Sequence, residues 1–381
     1  MIATAPTYVR DSATAPRLAA VDTRSRRVDA WHIPSLDGLR AISFLIVFLA
    51  HSGISGVPGG FGVTVFFYLS GFLITTLMRA ERENTGTVHL GHFYLRRVLR
   101  ILPPFYLILA FASVLTLVNL LPGMLSGDVL LAQALHVSNY WFIWRGADGS
   151  PMGTVPYWSL AVEEHFYLIF PLLYLGLSRV LRRQGQAKAI LVLCAAVCVW
   201  RCILVGVFGV SEDRTYMGSD TRFDSIFFGC ALAIGMNPVF DTVKGSERVW
   251  KWVLLPAGLA LLLFTFAYRA DWFRETIRYT LQGIALTPIF IAAIRFPKWL
   301  PFRFLNAKPV AFVGLLSYSL YLIHQVVLYS LFHIWPTAPE LPRNFLGLIV
   351  SLVLATAIHY AVEKPAARLR KRIAGRPRPA V

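Results

Sequence analysis

From Leu39 to Val362 the chain returns repeatedly to uninterrupted apolar stretches of the length that crosses a bilayer, about 17 to 25 residues. That recurrence leaves few folds open. A hydrocarbon core satisfies no backbone polar group, so each stretch must form a helix whose hydrogen bonds close within itself. The runs at 37–53, 61–79, 99–121, 157–178, 188–209, 221–238, 250–268, 279–296, 309–333 and 344–363 predict an all-α integral membrane protein, a polytopic bundle of about ten transmembrane helices. A shorter apolar stretch at 127–144 fits a re-entrant or interfacial segment. Only 15% of the residues are charged, against about 25% in soluble proteins.

The net charge of +17 could suit nucleic acid, but its distribution excludes that reading. The basic residues stand in short clusters between apolar runs: Arg79, Arg82, Arg96, Arg97 and Arg100; then Arg179, Arg182, Arg183 and Lys188; then Lys244, Arg248 and Lys251; then Arg295, Lys298, Arg303 and Lys308. All fall on one side of the alternating spans, together with the arginines of both tails. By the positive-inside rule that side is cytoplasmic, so both termini are expected there and the number of spans is even. The organisation that follows is a disordered basic cytoplasmic tail at 1–35, without the apolar core of a signal peptide, a transmembrane domain at 36–365 and a basic cytoplasmic tail at 366–381, in the cell membrane. Cys194, Cys198 and Cys202 share one helix face; with Cys230 they read as packing residues, no Cys-x-x-Cys pair or nearby histidine set pointing to a metal.

Arg40 and His51 bracket ten uncharged residues. Eleven helical steps leave them within about 20° of one face and about 16 Å apart along the axis. With Arg40 at the membrane edge, His51 lies about halfway across a core roughly 30 Å thick. An imidazole there is a hydrogen-bonding partner for a neighbouring helix or a proton-transfer group. Glu163 and His324, measured from the ends of their own spans, fall in the same depth band, and a carboxylate paired with an imidazole fixes its tautomer and raises its basicity. The neighbouring Glu164 is a second candidate, though the spacing from Trp158 favours Glu163.

Arg97 and Arg100 stand one turn apart at the cytoplasmic edge of a span, where two guanidiniums either grip phosphates or anchor topology against anionic lipid. Asp220, Arg222 and Asp224 make an ion-pair network or hold a polyhydroxylated ligand. Glu363-Lys364-Pro365 reads as an ion pair closing the last helix. Gly59-Gly60-Phe61-Gly62 reads as a flexible turn, and Ser70-Gly71 as a close helix crossing. Ser70 is a weak nucleophile candidate because the sequence places no base beside it.

Taken together, Asp37-Gly38-Leu39-Arg40 with His51, the Phe66-Phe67-Tyr68-Leu69-Ser70-Gly71-Phe72-Leu73-Ile74-Thr75 run, Arg96-Arg97-x-x-Arg100-Ile101, and Trp158-Ser159-Leu160 with Glu163 resemble the acyltransferase-3 family of integral-membrane O-acyltransferases. The Asp220 to Gly229 segment, Tyr318-Ser319-Leu320-Tyr321-Leu322-Ile323-His324 and Val362-Glu363-Lys364-Pro365 resemble its later motifs, so the likeness covers about Leu36 to Arg368. The resemblance implies transfer of an acyl group, acetyl foremost, from acyl-CoA as co-substrate to a hydroxyl of a carbohydrate or glycan, with no bound cofactor. It implies a catalytic role for Arg40 and His51 and acyl-donor binding by Arg97 and Arg100; the shared depth adds Glu163 to the catalytic set as the carboxylate that polarises His51. Asp220, Arg222, Asp224 and His324 are left to the acceptor or to a structural network. Some members carry a fused extracytoplasmic domain; none is expected here, so transfer is expected to finish in the membrane domain or on a separate extracytoplasmic transferase. A macrolide-type acceptor is the alternative within the same chemistry. Intramembrane ionisable groups also suit a proton relay, so a glycan or polyketide transporter or flippase is the alternative from another class.

Overall fold

The computed structural model describes residues 33–373, and these form helices and turns throughout. In chain order the helices are α1 (Leu36–His51), α2 (Gly59–Thr85), α3 (Leu90–Leu117), α4 (Gly127–Ala134), α5 (Ser138–Arg145), α6 (Tyr157–Val180), α7 (Arg183–Gly206), α8 (Glu212–Met217) and α9 (Ser219–Gly235). They continue with α10 (Glu247–Val249), α11 (Leu255–Ala267), α12 (Asp271–Glu275), α13 (Arg278–Arg295), α14 (Leu300–Leu305), α15 (Lys308–Ile334), α16 (Glu340–Ile358) and α17 (Lys364–Ile373). Single π-helical turns join α10 to α11 and α16 to α17. The expected tail at 1–32 and the end of the chain from 374 lie outside the described residues.

Among the described residues seven helices are long and apolar enough to cross a membrane: α2, α3, α6, α7, the continuous Glu247–Ala267, α15 and the continuous Glu340–Arg370. Three more of the apolar runs form the shorter helices α1, α9 and α13, of 16, 17 and 18 residues, or about 24 to 27 Å at 1.5 Å per residue. Their setting explains their length. Fourteen of the 17 residues of α9 are buried, so protein rather than lipid surrounds it. In α7 and in Glu340–Arg370, by contrast, only 22% of the apolar window is buried, as suits helices with a lipid-facing side. The 127–144 stretch resolves into the short helices α4 and α5.

The close crossing expected at Ser70-Gly71 is present. A Cβ on Gly71 would run into the backbone carbonyl of Ile226, and one on Gly229 into that of Tyr68, so α2 and α9 meet backbone to backbone as small residues allow in membrane bundles. Two expectations are corrected. Gly59 to Gly62 are not a flexible turn but the first turn of α2, where a side chain at Gly62 would strike Val47 and the Ser43 carbonyl of α1. Nor do Glu363 and Lys364 close the last helix. The Ser319 hydroxyl and the His359 ring each donate to Glu363 at 2.6 Å, Lys364 sits 3.9 Å over the Tyr360 ring, and the helix runs on through Pro365 just after the π-helical turn.

Candidate active site

Helix α1 is held at both ends. At its start the Ser35 amide donates to the Asn306 side chain at 2.8 Å and the Ser35 hydroxyl to the Ala293 carbonyl at 2.7 Å. At its finish the Ser52 amide bonds back to Phe48 at 2.9 Å, and Asn344 donates to the Ser52 carbonyl at 2.7 Å. This fixes both the height and the rotation of Arg40 and His51.

Arg40 lines a cavity enclosed by α1, α2, α3, α6 and α15. Its wall also carries Ser70 of α2, Arg97 and Arg100 of α3, Glu163 and Tyr167 of α6, and Tyr318 and Tyr321 of α15. Three guanidiniums thus share one carboxylate on the wall. Both oxygens of that carboxylate are engaged: the Ser70 hydroxyl donates to one at 2.7 Å and the Tyr167 hydroxyl to the other at 3.0 Å. The Arg97 guanidinium lies 5.0 Å over the Tyr167 ring, a cation–π contact that holds it against α6. Arg40 is steadied by Asp37 at 2.8 Å. Glu163, not Glu164, lines the cavity.

His51 is elsewhere. It ends α1, exposed, about 16 Å along the axis from Arg40, and its Nδ1 lies 2.8 Å from Nε2 of His324. The carboxylate partner expected for His51 is therefore a second imidazole, and Glu163, at similar expected depth, points instead into the cavity. His324 is fully buried. Its Nδ1 lies 3.0 and 2.8 Å from the carbonyls of Leu320 and Tyr321, and Phe44 and Phe48 of α1 flank its ring, with centroids at 5.6 and 6.2 Å. Tyr321 links the two sites: its ring lines the cavity and lies 5.9 Å from that of His324.

Asp220, Arg222 and Asp224 do not gather. Asp220 pairs with Arg214 at 2.5 Å and takes bonds from Tyr140 at 2.9 Å and Trp200 at 2.6 Å. Asp224 pairs with Arg201 of α7 at 2.6 Å, both fully buried. Arg222 sits 4.0 Å over the Tyr279 ring, with Tyr216 and Phe67 each at 5.4 Å, and donates to Thr64 at 3.0 Å. Sequence reasoning missed two residues here. Arg201 lies within an apolar run and gave no sign of its partner. Ser70 was set aside for want of a base, and Glu163, 93 positions away, is hydrogen-bonded to it; no local pattern could have shown either pairing.

A helical membrane protein with an arginine-bearing cavity at one end of α1 and an imidazole pair at the other is the class that fold and site define. The profile of the acyltransferase domain family matches residues 33–360. The chain belongs to this family, acyltransferase-3. It is 32% identical over 358 residues to the peptidoglycan O-acetyltransferase OatA of Listeria monocytogenes, an alignment covering 90% of this chain and 57% of that protein. It is 30% identical to a putative O-acetyltransferase of Staphylococcus aureus, over 88% of this chain and 57% of the relative. A putative peptidoglycan O-acetyltransferase of Bacillus subtilis, YrhL, is also 30% identical, over 88% and 55%. The chain thus spans little more than half the length of these relatives. No solved structure matches it.

Proposed function

We propose that this chain transfers an acetyl group from an acyl thioester, acetyl-CoA, to a hydroxyl of a cell-envelope glycan. The observation that carries the reading is the cavity where Arg40, Arg97 and Arg100 meet a single wall carboxylate, Glu163. With Arg40 already paired to Asp37, Arg97 and Arg100 still outnumber the carboxylate on the wall, and guanidiniums match phosphate geometry. The names of the Listeria and Bacillus relatives support a glycan acceptor of the peptidoglycan kind.

In this reading Arg97 and Arg100 hold the donor's phosphates, and Glu163, with Ser70 and Tyr167 on its two oxygens, balances the arginine charge. Arg40 orients the thioester. The donor's acyl end extends toward the far end of α1, where His51 serves as general base. The acceptor hydroxyl gives its proton to His51 as its oxygen bonds to the acyl carbon; the carbon–sulfur bond breaks, and the thiolate takes the proton back from the imidazolium. Ten crossings with both termini cytoplasmic suit this arrangement. Asp37 abuts Gly314 near the starts of α1 and α15, and His51 meets His324 further along both, so the two helices run in the same direction.

The test is acceptor-dependent thiol release from acetyl-CoA by purified protein in nanodiscs. His51→Ala should lower it by about 10²- to 10⁴-fold while the protein remains folded and inserted. Near-normal turnover in that variant would overturn the assignment.

A further inference from the structure

The hydrogen bonds of His324 determine which nitrogen of His51 can take a proton. A carbonyl oxygen only accepts, so the two carbonyls beside Nδ1 of His324, from Leu320 at 3.0 Å and Tyr321 at 2.8 Å, require that nitrogen to carry the hydrogen. The ring is fully buried, flanked by Phe44, Phe48 and Tyr321, and among the described residues no carboxylate is hydrogen-bonded to it. An isolated charge in such surroundings is costly, so the ring is neutral and its Nε2 is a bare acceptor. That acceptor faces Nδ1 of His51 at 2.8 Å. Nδ1 of His51 is then the donor, and the remaining lone pair of His51 lies on Nε2.

The ring geometry agrees. The two imidazole planes are 8° apart with centroids 5.2 Å apart, nearly twice the N···N distance, so the bond lies in the ring planes rather than across stacked faces. His51 itself is exposed, and among the described residues nothing is hydrogen-bonded to its Nε2.

We infer that His324 is a positioning residue that holds His51 in the Nδ1–H tautomer and so presents Nε2 as the base toward the acceptor. The inference rests on the transferase reading for its consequence, but not for the tautomer itself. The chain of bonds runs from two main-chain carbonyls of α15, through one buried imidazole, to the reacting one. It performs the task for which a carboxylate is commonly used, with no charge placed in the bundle.

Two measurements test it. The first is ¹⁵N NMR of histidine-labelled wild type in nanodiscs, with His51→Ala identifying the His51 signals. Nδ1 of His51 should be protonated and Nε2 bare; a protonated Nε2 in the neutral ring would overturn the inference whatever the activity. The second compares His324→Phe, which keeps a ring without an acceptor, with His324→Gln, whose amide oxygen can stand where Nε2 stood. His324→Phe should lower kcat by about 100-fold or more with donor KM unchanged, and His324→Gln should recover most of that loss. A structural role alone predicts no such split, so full turnover in His324→Phe, or equal loss in both variants, would overturn the positioning role. A wild type that shows the expected tautomer but transfers nothing would instead bring down the transferase reading.

Discussion

Replacing Asp224 by alanine should destabilise the bundle strongly, and the structure sets the scale. The Asp224 carboxylate and the Arg201 guanidinium are both fully buried and 2.6 Å apart. Thr280 joins them, donating to Asp224 at 2.7 Å and accepting from Arg201 at 2.6 Å, and the Ser225 amide donates to Asp224 at 2.8 Å. Arg201 also donates to the carbonyls of Thr276 and Thr221, so truncating Asp224 leaves a guanidinium facing only neutral acceptors inside the protein. Breaking a buried pair from one side costs about 3 to 5 kcal/mol. Removing both charges with apolar residues of similar size is far milder, so Arg201→Met/Asp224→Leu should recover most of the loss. Graded denaturant unfolding in detergent, followed by tryptophan fluorescence, reads Asp224→Ala, the double variant and its two single changes. A loss below about 1 kcal/mol for Asp224→Ala, or a double variant as unstable as the sum of the singles, would refute a structural pair. Were Asp224 an acceptor ligand instead, acetyl transfer would fall while unfolding stayed the same.

Two further outcomes are expected. Asp241, in the connection after α9, is pushed up by partial burial, but the paired bonds from Arg79 at 2.7 and 2.8 Å outweigh this and hold its carboxyl below the usual carboxylate range. A folded-state value below the unfolded one adds stability that is present above about pH 4 and lost as pH falls through the folded value. Asp241→Asn should therefore flatten the acid limb of a thermal-stability profile between about pH 3 and 5; an unchanged limb would contradict the ion pair. Arg97→Ala should raise the donor KM by about tenfold or more, the loss of one charge-assisted contact, with a smaller effect on kcat, and an unchanged KM for acetyl-CoA would count against Arg97 as a donor contact.

The helices were legible because a bilayer allows each apolar run so few alternatives: every one of the ten runs overlaps a helix of the structure. Depth was partly legible too, since rise per residue placed His51 and His324 together. What the sequence could not show was azimuth. Depth itself failed for Glu163: its partner Ser70 lies eleven residues, about 16 Å, along α2 from Gly59, which abuts Ala50 beside His51, so Glu163 sits at the Arg40 end of α1. Arg201 looked like one more residue of an apolar run until α9 brought Asp224 against it. The Asp220 to Asp224 segment looked like one cluster, yet helical rotation sends its three charged side chains to Arg214, to an aromatic cage and to Arg201.

The central claim is that a donor held by arginines on one side of the bundle acylates an acceptor beside His51. Its most direct test uses wild-type protein in proteoliposomes with acetyl-labelled acetyl-CoA and a peptidoglycan-fragment acceptor. The account expects label to appear on the acceptor as an ester, in proportion to the thiol released. Unmodified glycan crossing the vesicle wall, with no label leaving acetyl-CoA, would contradict it and establish a transporter in its place.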